Sequence, residues 1–169
     1  MNRPGTIVLL AAALSTAAIA QGKHFGDAAS PTVPSLARDM VAAHNAVRVR
    51  VGSAPLTWSD QLAGVAQKWA DHLLASGQFS HSHNPNFGEN LFEINGAPAT
   101  VDRVVKDWAD EARDYDYTLN TCRAVCGHYT QIVWSTTKEV GCAVARGGRS
   151  EIWVCNYNPP GNYVGQKPY

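Results

Sequence analysis

The sequence predicts an α+β fold, or a three-layer arrangement of helices about an antiparallel sheet, and three observations carry that expectation. Apolar residues recur at three and four positions in segments that start near residues 35, 59 and 100. Two β-prone runs, 140–146 and 151–157, meet across Gly147-Gly148-Arg149-Ser150. The 169 residues suit a single domain, and no internal repeat or low-complexity tract divides them.

The first 20 residues read as a secretory signal. Arg3 supplies the positive charge, Ile7 to Ala18 is an apolar run without a charge, and Ala18-Ile19-Ala20 offers small residues for cleavage. The run is shorter than the roughly 20 residues of a membrane-spanning helix, so no membrane span is expected. Residues 21–34, rich in Gly, Ala, Ser and Pro, read as a tether, and the domain is expected over 35–169. Cleavage removes one arginine and no acid from a balance of 14 basic and 14 acidic side chains. A nearly neutral chain has no electrostatic footprint for nucleic acid or an anionic membrane surface.

Ser35 is a candidate cap for a helix that runs to about Val51 and ends at Gly52, with Leu36, Met40, Ala43, His44, Val47 and Val51 along one face. Ser59 opens a second helix with Leu62, Val65, Ala66, Trp69 and Leu73 inward and Gly77 just past its end. Residues 78–90 show no period and read as a loop with unusual polar content. The third helix, from Thr100, carries Val101, Val104, Val105 and Trp108 on a stripe that continues to Glu111 and Ala112. Glu111 thus points with the apolar face, where a carboxylate is out of place. His128 to about Trp134 is a short helix or turn, and a Pro and Gly tail follows Tyr157.

Export permits disulfides, and the four cysteines allow three pairings. A two-residue turn at Gly148-Arg149 sets 147 opposite 150 and, continuing outward, 142 opposite 155 on a non-hydrogen-bonded pair. Cα atoms at such a pair approach to roughly 4.5 Å, within disulfide range. The hairpin therefore predicts Cys142 with Cys155 and leaves Cys122 with Cys126. A metal site competes for the same cysteines, but their spacing is not that of zinc ribbons.

No G-x-S-x-G, H-E-x-x-H or phosphate-binding glycine loop is present, and no Cys stands beside a His in a recognised protease context. His81, His83, Glu89, Glu111 and His128 remain as chemistry-bearing residues in odd places. Brought together, two imidazoles and two carboxylates would make a divalent metal site or an acid/base cluster. Left apart, they are surface groups or hydrogen-bonded core groups. Spacing alone leaves both readings open.

Two segments are specific: Gly127-His128-Tyr129-Thr130-Gln131-Ile132-Val133-Trp134-Ser135, and Ile152-Trp153-Val154-Cys155-Asn156-Tyr157-Asn158-Pro159-Pro160-Gly161-Asn162-Tyr163. They resemble the two signature motifs of the CAP superfamily, which includes cysteine-rich secretory proteins, insect venom antigens and plant pathogenesis-related protein 1. His44-Asn45-x-x-Arg48, the Trp58 segment, His81-Ser82 with Gly88-Glu89-Asn90-Leu91, and Trp108-x-x-Glu111 match further family elements in order. The resemblance covers about 35–169, and the ending Asn158 to Tyr169 is most similar to the plant pathogenesis-related type. Plant members usually carry six cysteines, so one loop staple has no counterpart here.

The resemblance implies an α/β/α sandwich with a cleft that gathers His81, Glu89, Glu111 and His128. It implies that these four could bind Zn²⁺ or another divalent ion, with no cofactor required, and that the alternative is an empty hydrogen-bonded tetrad. Tyr129, Gln131 and Trp134 are expected to line the cleft, His83 and Glu93 to be surface groups, and His44, Asn45 and Arg48 to be structural. The function implied is a secreted, monomeric, non-enzymatic defence module that takes up a sterol or other lipid. A metal-assisted hydrolase or protease and a carrier for a released peptide, 159–169, are the alternatives. The tail is otherwise expected to pack over the sheet. The location is extracellular, or periplasmic in a Gram-negative source.

Overall fold

The computed structural model describes Met1 and residues 33–169. The signal segment and most of the tether lie outside the described residues, and the domain is the unit Pro31–Tyr169. No helix among the described residues is long and apolar enough to cross a membrane.

Helix α1 spans Val33–Arg48 and tightens into a 3₁₀ turn, Val49–Val51, before Gly52 at φ 77° stops it. It starts two residues ahead of Ser35, so Ser35 lies inside the helix rather than at its cap, and Pro34 stands in the first turn, where a missing N–H costs nothing. Met40, His44 and Val47 are buried along the face the periodicity marks. Helix α2, Asp60–Ser76, has Ser59 Oγ accepting from Leu62 N and Gly77 in the left-handed conformation at its end. Its buried side chains are Leu62, Ala66, Ala70 and Leu73; Val65 and Trp69 are only half-buried. Helix α3, Val101–Ala109, is capped by Thr100 and buries Val104, Val105 and Trp108. It ends before Glu111, which sits in a following 3₁₀ turn, Asp110–Asp114, and Ala112 is exposed. Helix α4 is short, Gly127–Val133.

The strands are β1 (Thr57–Trp58), β2 (Gly88–Asn95), β3 (Tyr115–Asp116), β4 (Thr121–Cys122), β5 (Glu139–Gly147) and β6 (Ser150–Asn158). They form a sheet of order β1-β5-β6-β2 and a separate β3-β4 ribbon. The sheet is antiparallel except at one edge, where β1 joins β5 in parallel. The hairpin register is the one the turn dictates: Gly147 faces Ser150 and Cys142 faces Cys155. Both disulfides form as expected, Cys142–Cys155 with Cα atoms 4.1 Å apart and Cys122–Cys126 at 5.8 Å.

Strand alternation sorts the sheet into two cores. Val140, Cys142, Trp153, Cys155 and Tyr157 face α1, α3 and α4, whereas Ala143, Ala145, Ile152 and Val154 face α2. The result is the three-layer sandwich. At Gly141 the first turn of α2 lies directly on the sheet: a Cβ there would stand 2.6 Å from the Leu62 carbonyl carbon, so only glycine fits. Strand β2 occupies part of the stretch read as a loop. Leu91 packs in one core and Phe92 against the other, while Glu93 and Asn95 are exposed, and the part read as loop is its first three residues, Gly88-Glu89-Asn90, which are poor strand formers.

Polar side chains of α1 tie the layers together. His44 is buried between the Met40 carbonyl (2.7 Å) and the Tyr157 hydroxyl (2.9 Å), and burial pushes its imidazole down to about 4, so it stays neutral. Asn45 accepts from Leu56 N and donates to Leu56 O. Arg48 is fully buried, and its guanidinium donates to the carbonyls of Ala54, Ile132, Trp134 and Thr137 at 2.7–3.1 Å. Burial pushes it down to about 10, which leaves it charged at neutral pH. Two of its acceptors belong to the C-terminal end of α4, the negative end of the helix dipole.

Replacing Arg48 by Met would leave four carbonyls, three of them buried, without that donor. The expected loss in urea unfolding is at least about 3 kcal/mol, with Arg48→Lys recovering only part because an ammonium lacks the planar fork. A loss below about 1 kcal/mol for Arg48→Met would contradict this role.

Candidate functional site

The loop that precedes β2 is fastened to α2, where Trp69 Nε1 donates to Ser80 O at 3.1 Å. This sets His81 beside the start of β2, where its Nδ1 lies 2.8 Å from Glu89 Oε1. Ser82 N donates to the same oxygen at 2.9 Å. The side chain of Glu89 is 8% exposed and that of His81 54%. Glu89 Oε2 is buried without a hydrogen-bond partner.

Glu111 and His128 form a second pair. Glu111 Oε1 lies 2.6 Å from His128 Nδ1, and Oε2 accepts from the backbone N–H groups of His128 (2.9 Å) and Tyr129 (3.3 Å). The inward stripe that looked wrong for a carboxylate thus has a physical reason. Glu111 reaches from the turn after α3 to cap the N-terminal amides of α4, which have no partner inside so short a helix. The His128 ring packs over Trp108 at 6.1 Å, and Asn90 Nδ2 donates to the His128 carbonyl at 3.1 Å.

The two pairs meet at a small cleft of about 170 Å³ lined by His81, Glu89, Asn90, Val125, Gly127, His128 and Asn162. Glu111 stands behind His128 rather than in the lining. The expected tetrad is therefore two imidazole–carboxylate pairs. Among the described residues no three His, Cys, Asp or Glu side chains are grouped so as to hold a metal ion. Each imidazole gives its Nδ1 to a carboxylate, which leaves its Nε2 as the nitrogen with a free lone pair. Both oxygens of Glu111 are already engaged.

Tyr129, Gln131 and Trp134 are not cleft residues. Tyr129 is buried with its hydroxyl 3.2 Å from that of Tyr169, and burial raises its pKa further from neutrality. Gln131 is buried between Gly161 N and Thr137 Oγ1. Trp134 lines a different groove, about 320 Å³, between the β3-β4 ribbon and the tail, with Tyr115, Asn120, Tyr163, Val164 and Pro168. The tail itself lies over α4 and this ribbon rather than over the sheet, held by Thr130 Oγ1 on Asn162 Oδ1 (2.7 Å) and Ser135 N on Pro168 O (2.6 Å). His83 and Glu93 are exposed, as expected. Val125 carries no sequence signal for the cleft, and Asn90 and Asn162, although they stand in the family-like segments, are brought there by the fold.

The CAP family, described as the Cysteine-rich secretory protein family, matches residues 41–157. The chain belongs to the CAP family. Within it, this CAP chain is of the pathogenesis-related protein 1 type. It is 47% identical over 135 residues to Pathogenesis-related protein 1A of Nicotiana tabacum, covering 78% of this chain and 80% of that one. It is 43% identical over 133 residues to Pathogenesis-related protein 1 of Arabidopsis thaliana, with coverages of 78% and 81%. Among solved structures, Schistosoma mansoni venom allergen-like protein 4 superposes with a TM-score of 0.64 at 30% identity, over 78% of this chain and 92% of that one. The crystal structure of NaASP2 with Zn²⁺ superposes with a TM-score of 0.67 over 78% and 83% and, at 22% identity, shares the fold alone.

The exposed pair of the CAP cleft has a pH signature. The hydrogen bond to Glu89 raises the His81 pKa above 6.5 against the effect of burial. Burial alone would raise Glu89, but the hydrogen bonds from His81 and Ser82 outweigh it and hold the carboxyl below 4.5. The contribution of His81 is complete below 6.5 and fades as pH rises through its raised value; that of Glu89 is complete above 4.5 and fades as pH falls through its lowered value. Both are present between 4.5 and 6.5. His81→Ala should therefore cost more stability at pH 5.5 than at pH 8.5 in matched urea titrations. Equal costs at the two pH values would contradict the pairing.

Proposed function

We propose that this CAP protein is an exported, defence-related binding module that takes up a sterol or another apolar molecule in the groove between the β3-β4 ribbon and the tail. One observation carries the reading: the groove has aromatic walls and apolar side chains left in solvent, with Tyr163 and Val164 of its lining 48% and 104% exposed and the half-exposed Tyr117 ring beside that of Tyr115. Isolated exposed apolar residues are ordinary, but a cluster of them around a groove marks a binding surface. A larger groove between α1 and α3, about 470 Å³, has a floor of Ala42, Ala43 and Ala46 and acidic rims at Asp39 and Asp102, but no aromatic wall. Export follows from the signal read in residues 1–20, and the names of the tobacco and Arabidopsis relatives support a place in defence.

A second reading, cation binding in the cleft, is favoured by the two imidazoles that converge there with Nδ1 committed and Nε2 free. The residues fit a site in which His81 and His128 would hold a divalent ion and the carboxylates would orient the rings from behind. They do not fit four protein ligands. A bound cation would supply Lewis acidity, yet hydrolysis also needs a carboxylate free to act as base, and Glu111 is committed to the start of α4. For release of 159–169 as a peptide, the hydrogen bonds that fasten the tail count against easy detachment.

One set of titrations tests both readings. Binding of a fluorescent sterol should weaken about tenfold in Val164→Asp and be unchanged in His81→Ala. Zinc affinity should show the reverse pattern and fall from pH 7.5 to pH 5 as free imidazole protonates. Sterol affinity unmoved by Val164→Asp would overturn the first reading, and zinc affinity equal at both pH values the second.

A further inference from the structure

Two buried side-chain polar atoms among the described residues have no hydrogen-bond partner, Glu89 Oε2 and Asn156 Nδ2. One is an acceptor and the other a donor. Register sets their residues directly opposite each other across β2 and β6. Opposed residues on neighbouring strands point to the same side of a sheet, and here that side is the one of Leu91 and Val154, under α2. Cys142 and Cys155 form a narrow, non-hydrogen-bonded pair, so the next residue of β6, Asn156, turns its backbone groups toward Gly141 of β5. It therefore meets Glu89 as another narrow pair, with Cβ atoms about 4.5–5.5 Å apart. The Glu89 side chain is 8% exposed and Asn156 1%, so bulk water does not reach the two atoms.

We infer that one buried water molecule bridges Asn156 Nδ2 and Glu89 Oε2, and that through it Asn156 is a positioning residue for the His81–Glu89 pair. A water accepts from the amide N–H and donates to the carboxylate oxygen, so it satisfies both orphans at once. A cation at Oε2 would serve the carboxylate but leave the Asn156 N–H facing positive charge. Glu89 Oε1 is already fixed by His81 Nδ1 and Ser82 N, and a second anchor on Oε2 stops the carboxylate from turning about its own axis. The direction of the His81 ring follows, since its Nδ1 is held by that carboxylate. The inference rests on the pair's geometry and stands whether or not the cleft takes a cation.

The test is water-selective NMR on the isotope-labelled intact protein in metal-free buffer. Wild type should show a cross-peak between a long-lived water and the Asn156 side-chain amide, together with a resolved His81 Nδ1–H resonance. Asn156→Asp, which keeps the shape but replaces the donor by an acceptor, and Asn156→Leu should both lose or broaden the His81 signal, whereas a packing role alone would spare it in Asn156→Asp. A wild-type amide without the water cross-peak, or a crystal structure with Nδ2 bonded directly to Oε2, overturns the inference even if neither variant folds. So does a His81 signal unchanged in both variants.

Discussion

The structure depends on a seven-residue helix that could not stand alone. Nucleating a helix costs more than so few residues return, and nearly every backbone group of α4 is an end group. Charges from two other elements supply what it lacks. Glu111 accepts from the amides at its start, and Arg48 donates to the carbonyls at its finish. An acid at the N-terminus and a base at the C-terminus also complement the dipole. The helix is thus clamped between α1 and the turn after α3, and His128 inherits a fixed position at the cleft.

The clamp explains two otherwise costly features. Arg48 is a buried cation whose guanidinium donates to four backbone carbonyls, two of which carry the partial charge of a helix terminus. Glu111 lies on an apolar stripe because the amides it caps are there. Around the clamp, the buried His44–Tyr157 contact fixes α1 to β6, the Asn90 amide fixes β2 to the His128 carbonyl, and the Trp108 indole N–H fixes α3 to Leu91 O at 3.0 Å. Cleft geometry and core stability are therefore one problem, and substitutions at Glu111 or His128 disturb folding along with any binding.

Legibility in the sequence followed the range of the interaction. The cap at Ser59, the helix start at Thr100, stops at Gly52 and Gly77, and the 142–155 disulfide were readable, because turn geometry and helix period act over a few residues. Glu111 was readable as misplaced, although its partners, the amides of His128 and Tyr129, were not. The start of strand β2 was hidden because Gly88, Glu89 and Asn90 are poor strand formers, and the parallel β1–β5 edge because two residues carry no pattern. The resemblance named His81, Glu89, Glu111 and His128 but not their division into two pairs, which depends on which carboxylate oxygen meets which donor. Gln131 and Tyr129 looked like cleft residues from their place in the motif; the tail, by folding over α4 instead of the sheet, turned them into core.

The central claim is that charges at both ends hold α4 in place and thereby build the cleft. Hydrogen exchange measured amide by amide in wild type and Glu111→Ala tests it most directly. The account predicts exchange at His128 and Tyr129 faster by at least about tenfold, with the β5 and β6 amides still protected. Unchanged protection of the α4 amides, or a uniform loss across the sheet, would contradict it.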